Sequence, residues 1–265
     1  MTRDGSRAHS RNQPDSLDRR DPALIRAILP YVEWFNSHYL QIRSEGSENA
    51  PRGPAIFVAN HNGGIMGPDL SCTLAFLWRT LTPENPLYAL AHDFAMRHFV
   101  PLGHLLRKVG AVAACRANAE RVLSSGGQIL VYPGGDLDAY RHFNRRNEVV
   151  LLPRTGFVKV AQSSGAPIVP IVAQGAHRSA YIFSEGESVA RALGMPRWAR
   201  LERFPLALAL PWIVTAGPWV PYLPLPFPVR LRMLPPIYVA PDEDAFQVAT
   251  QIQGRMQSAL REMAA

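Results

Sequence analysis

His61 and Asp69 are the residues whose types and spacing first suggest chemistry. They lie in VANHNGGIMGPDL (residues 58–70), where an apolar run ends in a histidine and a carboxylate follows eight positions later. A histidine paired with a carboxylate is a general base. The carboxylate holds one ring N–H and stabilises the imidazolium that forms. Seven residues intervene, so the loop Gly63-Gly64-Ile65-Met66-Gly67-Pro68 must fold back to bring the two together. Its glycines make that turn feasible and clear space for a substrate. The same pattern also suits a core histidine bonded to a turn aspartate, and spacing alone does not choose.

Two further strand ends carry polar groups. Gly134-Gly135-Asp136 follows QILVYP, and Arg116 follows VGAVAAC. A Tyr-Pro-Gly-Gly turn offers main-chain N–H groups to an oxyanion or phosphate, or is simply a tight turn. Arg116, Arg141, Arg145, Arg146 and Arg154 are expected around this rim, where planar guanidinium forks suit an acidic substrate group. The cluster RHFNRRN reads equally as a binding site or as solvated charge.

The elements that must position these groups alternate between strand and helix from residue 54 onward. Strands are expected at 55–60, 86–92, 109–116, 128–133, 167–173 and 229–239. Helices are expected at 69–80, 117–125, 155–165 and 242–263, and a loop from Gly134 to Arg154. This is an α/β pattern: a single domain with a mixed, largely parallel sheet flanked by helices, preceded by an N-terminal amphipathic helix. In such sheets ligands gather beyond the carboxyl ends of strands, where His61, Gly134-Gly135-Asp136 and Arg116 would all lie. Three stretches follow: a polar disordered tail over 1–21, the amphipathic helix over 22–43, and the α/β domain over 44–265.

The helix 22–43 starts at Asp21-Pro22 and carries Ile25, Ile28, Leu29, Val32, Phe35 and Tyr39 at helical spacing, with Pro30 inside it. Its Tyr31 and Trp34 suit either a membrane interface or packing on its own domain. The stretch 204–229 is uncharged and long enough to cross a bilayer, but it holds seven prolines, too many for a straight helix. It reads as core strand, turns and apolar surface, at a membrane interface or within ordinary core.

The 265 residues are 47% hydrophobic and carry a net charge of +7. That is enough apolar material for one sizeable core. The basic balance suits an anionic membrane or a phosphorylated substrate. The basic residues are spread along the chain with no nucleic-acid motif, so no nucleic-acid partner is expected. Cys72 and Cys115 make no disulfide framework or metal spacing; no metal is expected, and both cysteines read as core residues. The tail lacks the apolar centre of a secretory signal.

Four blocks in order resemble the glycerolipid acyltransferases, most nearly the relatives of diacylglycerol acyltransferase. They are VANHNGGIMGPD, VGAVAACRAN, ILVYPGGDLDAYR and RTGFVKVAQSSGAPIVPIVAQGAH, spanning roughly 54–180. The usual H-x-x-x-x-D form of the first block is longer here. The third block usually reads Phe-Pro-Glu-Gly, and here Tyr132-Pro133-Gly134-Gly135 lacks the glutamate. The resemblance then implies a more neutral acceptor than a lysophosphatidic acid. It implies acyl transfer from acyl-CoA or another acyl thioester to a hydroxyl of a lipid acceptor, with His61 as base and Asp69 orienting it. Arg116, Gly134, Gly135, Asp136, Arg141 and Arg154 become the substrate-side residues. The co-substrate is acyl-CoA with no further cofactor, and the partner is a membrane surface, met from its cytoplasmic side as a peripheral or monotopic protein. An ester or thioester hydrolase, or a non-catalytic lipid binder on the same scaffold, are the competing readings.

Overall fold

Uninterrupted apolar runs such as IFVA and IVPIVA favour strands buried on both faces. The computed structural model, which describes residues 15–64, 67–92, 96, 100–218 and 222–264, builds its sheet from them. In chain order the first elements are α1 (Pro22–His38), β1 (Arg43–Glu45), β2 (Ile56–Ala59), α2 (Pro68–Leu81), β3 (Leu87–Ala91), α3 (Val100–Lys108), β4 (Ala111–Ala113) and α4 (Arg116–Ser124). Then come β5 (Gln128–Val131), α5 (Gly135–Ala139), α6 (Gly156–Ser164), β6 (Ile168–Gln174) and β7 (Tyr181–Ser184). The last are α7 (Glu187–Ala192), α8 (Met195–Trp198), β8 (Leu206–Ala209), β9 (Ile213–Ala216), β10 (Arg230–Met233) and α9 (Ala245–Ala264).

The main sheet has seven strands in the order β1-β10-β6-β2-β5-β3-β4. β6, β2, β5, β3 and β4 run parallel, so their carboxyl ends share one edge. β10 runs antiparallel to β6 and β1 pairs with it, making the sheet mixed. Side chains alternate across the strands. Ile56 and Val58 of β2 face a core with Val122 of α4, Phe157 of α6 and Ile252 of α9. Phe57 and Ala59 face the other, with Ile25 of α1 and Phe76 and Leu77 of α2. The α/β expectation with a mixed, largely parallel sheet holds.

Local departures have physical causes. The expected helix 22–43 ends at His38, where the Tyr39 N–H closes onto Phe35 O. Arg43 N then donates to Val229 O, and strand pairing with β10 replaces the helix. Residues 15–21, assigned above to the disordered tail, are docked: Asp15 accepts from Ala113 N at 2.7 Å, and Arg20 donates to the carbonyls of Pro83, Asn85 and Leu87. Residues 1–14 lie outside the described residues. The expected loop after QILVYP holds the short helix α5. The apolar stretch 204–229 supplies β8 and β9, which join β7 in a separate three-stranded antiparallel sheet; its residues 219–221 lie outside the described residues. Among the described residues no helix is long and apolar enough to cross a membrane.

Candidate active site

His61 lies two residues beyond β2, on the carboxyl edge of the sheet. Asp69 lies in the first turn of α2. The loop between them closes through the Gly67 N–H, which donates to Gly64 O at 2.9 Å. A side chain at Gly67 would strike the Asn62 carbonyl at 2.1 Å and Asp69 Oδ1 at 2.5 Å, so only glycine permits this return. Ile65 and Met66 lie outside the described residues. Through this fold-back His61 Nδ1 meets Asp69 Oδ2 at 2.7 Å, and Asp69 is fully buried. The same oxygen accepts the Asn62 N–H at 3.1 Å.

A buried carboxylate that accepts a main-chain N–H acts as acceptor to the ring as well. That assigns the proton to Nδ1 and leaves the lone pair on Nε2. Burial pushes the His61 pKa down, but the charge and hydrogen bond of Asp69 outweigh it, and the net shift is upward from the ordinary histidine value. The Tyr132 ring packs on the imidazole at 4.7 Å between centroids.

The main chain of His61 is held from both sides. Asp138 Oδ2 accepts its N–H, and Arg141 Nη1 donates to its carbonyl at 3.1 Å. Arg141 also pairs with Asp138 Oδ1 and donates to Asn62 Oδ1 at 2.5 Å. Both charged residues are fully buried. Burial raises the Asp138 pKa, opposed by Arg141 and the N–H groups of His61 and Val150. Behind them stands His177, just past β6. Its Nδ1 accepts the Gly63 N–H at 3.1 Å and its Nε2–H donates to Arg141 O at 2.7 Å. Burial, then the Arg141 charge, lowers the His177 pKa to about 3, so this ring is neutral at neutral pH.

Several residues expected on the rim sit elsewhere. Arg141 is not exposed to a substrate; its guanidinium is spent on Asp138, His61 and Asn62. Gly135 N–H donates to Tyr132 O at 3.1 Å, so it closes the turn rather than facing an oxyanion. At Gly134 an added Cβ would meet Val150 O at 1.9 Å, which explains the glycine by close backbone approach. Asp136 is nearly buried, bonded to Arg154 Nη2 at 2.9 Å and to Glu202 N at 2.5 Å. Arg154 also donates to Gly134 O at 3.0 Å, so this pair pins the Pro-Gly-Gly turn. Arg116 is exposed, pairs with Glu120 at 2.7 Å, and lies beyond β4, three strand positions from β2. At about 4.8 Å per strand it stands roughly 14 Å across the sheet from the His61 strand. Arg145 pairs with Glu148 and Arg146 lies over Phe143, away from any shared anion site.

Asn62 and His177 hold the site together with Asp138, and neither of the two was assigned a role from sequence. The available signal was position: Asn62 adjoins His61, and His177 follows a strand end. A narrow cleft opens beside the His61 loop, with room for one or two waters, about 20 Å³. Gly63, Gly64, Tyr140, Ile182, Ala207, Thr215 and Tyr222 are among its lining, and among the described residues no charged side chain is.

An α/β sheet with a buried histidine–aspartate pair at its carboxyl edge has the geometry that general-base chemistry requires. The Acyltransferase family model matches residues 41–174, and the chain belongs to that family. It is 31% identical over 254 residues to the uncharacterized protein Rv0502 of Mycobacterium tuberculosis, covering 91% of this chain and 66% of that protein. The uncharacterized protein ML2427 of Mycobacterium leprae is 30% identical over 254 residues, covering 91% of this chain and 65% of that protein. The chain therefore spans about two thirds of the length of these relatives. Human diacylglycerol O-acyltransferase 2 is 31% identical over 136 residues, 48% of this chain and 34% of that protein. The crystal structure of PlsC, the 1-acyl-sn-glycerophosphate (LPA) acyltransferase of Thermotoga maritima, superposes with a TM-score of 0.56 at 16% identity. It covers 91% of this chain and 82% of PlsC, and the likeness extends to the fold.

Proposed function

We propose that the chain transfers a fatty acyl group from an acyl thioester, acyl-CoA in the first instance, to the hydroxyl of a neutral lipid such as a partial glyceride. The observation that carries this is the His61–Asp69 contact at 2.7 Å, with Nε2 left as the base. Nε2 takes the proton of the acceptor hydroxyl as its oxygen attacks the thioester carbonyl. The C–S bond then breaks, and the imidazolium returns the proton to the departing thiolate. Asp69 stabilises the imidazolium between these steps.

No covalent acyl-enzyme is needed. Burial, then the charge of Asp69, pushes the Cys72 thiol up to about 12, which makes it a poor nucleophile. A neutral acceptor is supported by the commitment of Arg141 and Arg154 to protein acceptors. Apolar substrates place the protein at a membrane surface, on the cytoplasmic side where acyl-CoA is found.

The test is transfer of labelled acyl-CoA to a panel of lysophosphatidic acid, other lysophospholipids, monoacylglycerol, diacylglycerol and long-chain alcohol, with wild type and His61→Ala. Product with the neutral acceptors that disappears in His61→Ala supports the proposal. Free fatty acid alone points to a hydrolase. Binding without turnover on any acceptor points to a non-catalytic lipid binder.

A further inference from the structure

The three-stranded sheet β7-β8-β9 is apolar on the wrong side. In an antiparallel sheet with one covered face, the outer residues are ordinarily polar. Here the inward row Ile182–Ala207–Thr215 is buried and lines the cleft. The outward row is Tyr181–Leu208–Val214, paired across the three strands, with 39%, 41% and 53% of each residue exposed. At the hairpin tip Ile213 is 74% exposed. One thin sheet thus forms a wall of the cleft on one face and an apolar surface on the other.

Ile213 adds an independent observation. Its φ is +63°, in the left-handed region that a β-branched residue adopts only under strain. Glycine or asparagine would relieve that strain, and a polar residue would suit the exposure. A residue disfavoured on both counts at a loop tip marks a role outside folding stability.

We infer that this sheet and its hairpin tip dock on an anionic lipid bilayer. The inference rests on the lipid acceptor proposed above, because the docked sheet would set the cleft directly over the acceptor's own layer. Charge favours that occupant. The 26 residues 204–229 carry no charge, while the chain as a whole is +7. Arg146 lies over the Phe143 ring, and that ring lies 4.4 Å from Tyr181 of the outward row, which sets a cation beside the apolar face. A cation beside an apolar face, on a chain of net charge +7, attracts anionic headgroups and repels a second, equally basic copy of this chain.

The experiment is flotation of the full chain with phosphatidylcholine vesicles containing phosphatidylglycerol, comparing wild type, the double variant Ile213→Asn/Val214→Ser, and Trp34→Ser on the exposed face of α1. Turnover on a soluble short-chain acceptor and sedimentation without vesicles are measured alongside. Asparagine accepts the left-handed backbone, so the melting temperature of the double variant should match or exceed wild type. The bound fraction should fall about tenfold in the double variant, the loss expected for withdrawing roughly two half-buried apolar side chains. It should stay near wild type in Trp34→Ser, and soluble-acceptor turnover should be unchanged in both. A double variant that floats like wild type overturns the inference. So does a wild-type dimer that the double variant splits, or a loss that follows Trp34→Ser instead. Loss of flotation in the double variant while no acceptor is ever acylated leaves the docking surface standing and removes the proposed reaction.

Discussion

His61 and His177 follow neighbouring strands of the same sheet, and each is almost wholly buried. Their partners differ. His61 has a carboxylate on Nδ1 and, among the described residues, no hydrogen bond on Nε2. His177 has a main-chain donor on one nitrogen and a main-chain acceptor on the other. Burial alone drives both rings toward the neutral form. Asp69 reverses that for His61, whereas His177, among the described residues, has no carboxylate to reverse it and the cation of Arg141 lowers it further. Two histidines in one neighbourhood thus differ in electrostatics, one suited to the proposed role of base and one to that of a brace, and the difference is made by one aspartate brought back through a glycine turn.

The sharpest way to break this comparison is to delete each ring. His61→Ala should lower kcat on the order of 10²–10⁴-fold, the range for losing a general base, with the fold intact by circular dichroism. Equal rates would make His61 another brace. Next in size is the clamp that serves both rings. Asp138→Asn leaves the buried Arg141 unpaired and frees one side of the His61 backbone. Chemical denaturation should show a loss of about 3–5 kcal/mol, the usual cost of breaking a buried ion pair.

His177→Leu should act on stability before chemistry. It strands the Gly63 N–H and the Arg141 carbonyl, at about 1–3 kcal/mol each. A second effect separates the two rings by pH. His177 cannot take a proton in the folded state until about pH 3, whereas the unfolded chain takes it near 6.5. Stability is therefore lost as pH falls below 6.5, by about 1.4 kcal/mol per unit from this group. His61 has the opposite sign. Its raised value contributes stability that is fully present below the unfolded pKa and fades as pH rises through the folded one. Acid titrations of wild type and His177→Gln should show the steeper acid loss only in wild type.

Much of this site was legible in the sequence, and the rest had specific reasons for being hidden. Strand–helix alternation is a local signal, so β2, β5, β6 and their helices were foreseen within a few residues. The His61–Asp69 pair was visible as two residue types around a glycine-rich loop. Arg141 was misplaced because a charged residue is normally at the surface. Its burial depends on Asp138, Asn62 and the His61 carbonyl, a set of partners that only the tertiary fold assembles. The strand character of β1 was missed, with Arg43 read as the end of a helix, because its pairing partner, β10, is nearly 190 residues away. The small sheet was ambiguous for a related reason: its outward face breaks the polar–apolar alternation by which such strands are recognised.

The proposed role of Asp69 is to make His61 the base. Its most direct test is kcat/KM for acyl transfer against pH, in wild type and Asp69→Asn. The wild-type rate should rise with pH along a one-proton limb whose midpoint lies above the ordinary histidine value of 6.5. In Asp69→Asn that midpoint should move down and the plateau should fall, on the order of 10²-fold for a mispositioned base. An unchanged limb and plateau in Asp69→Asn would contradict the account.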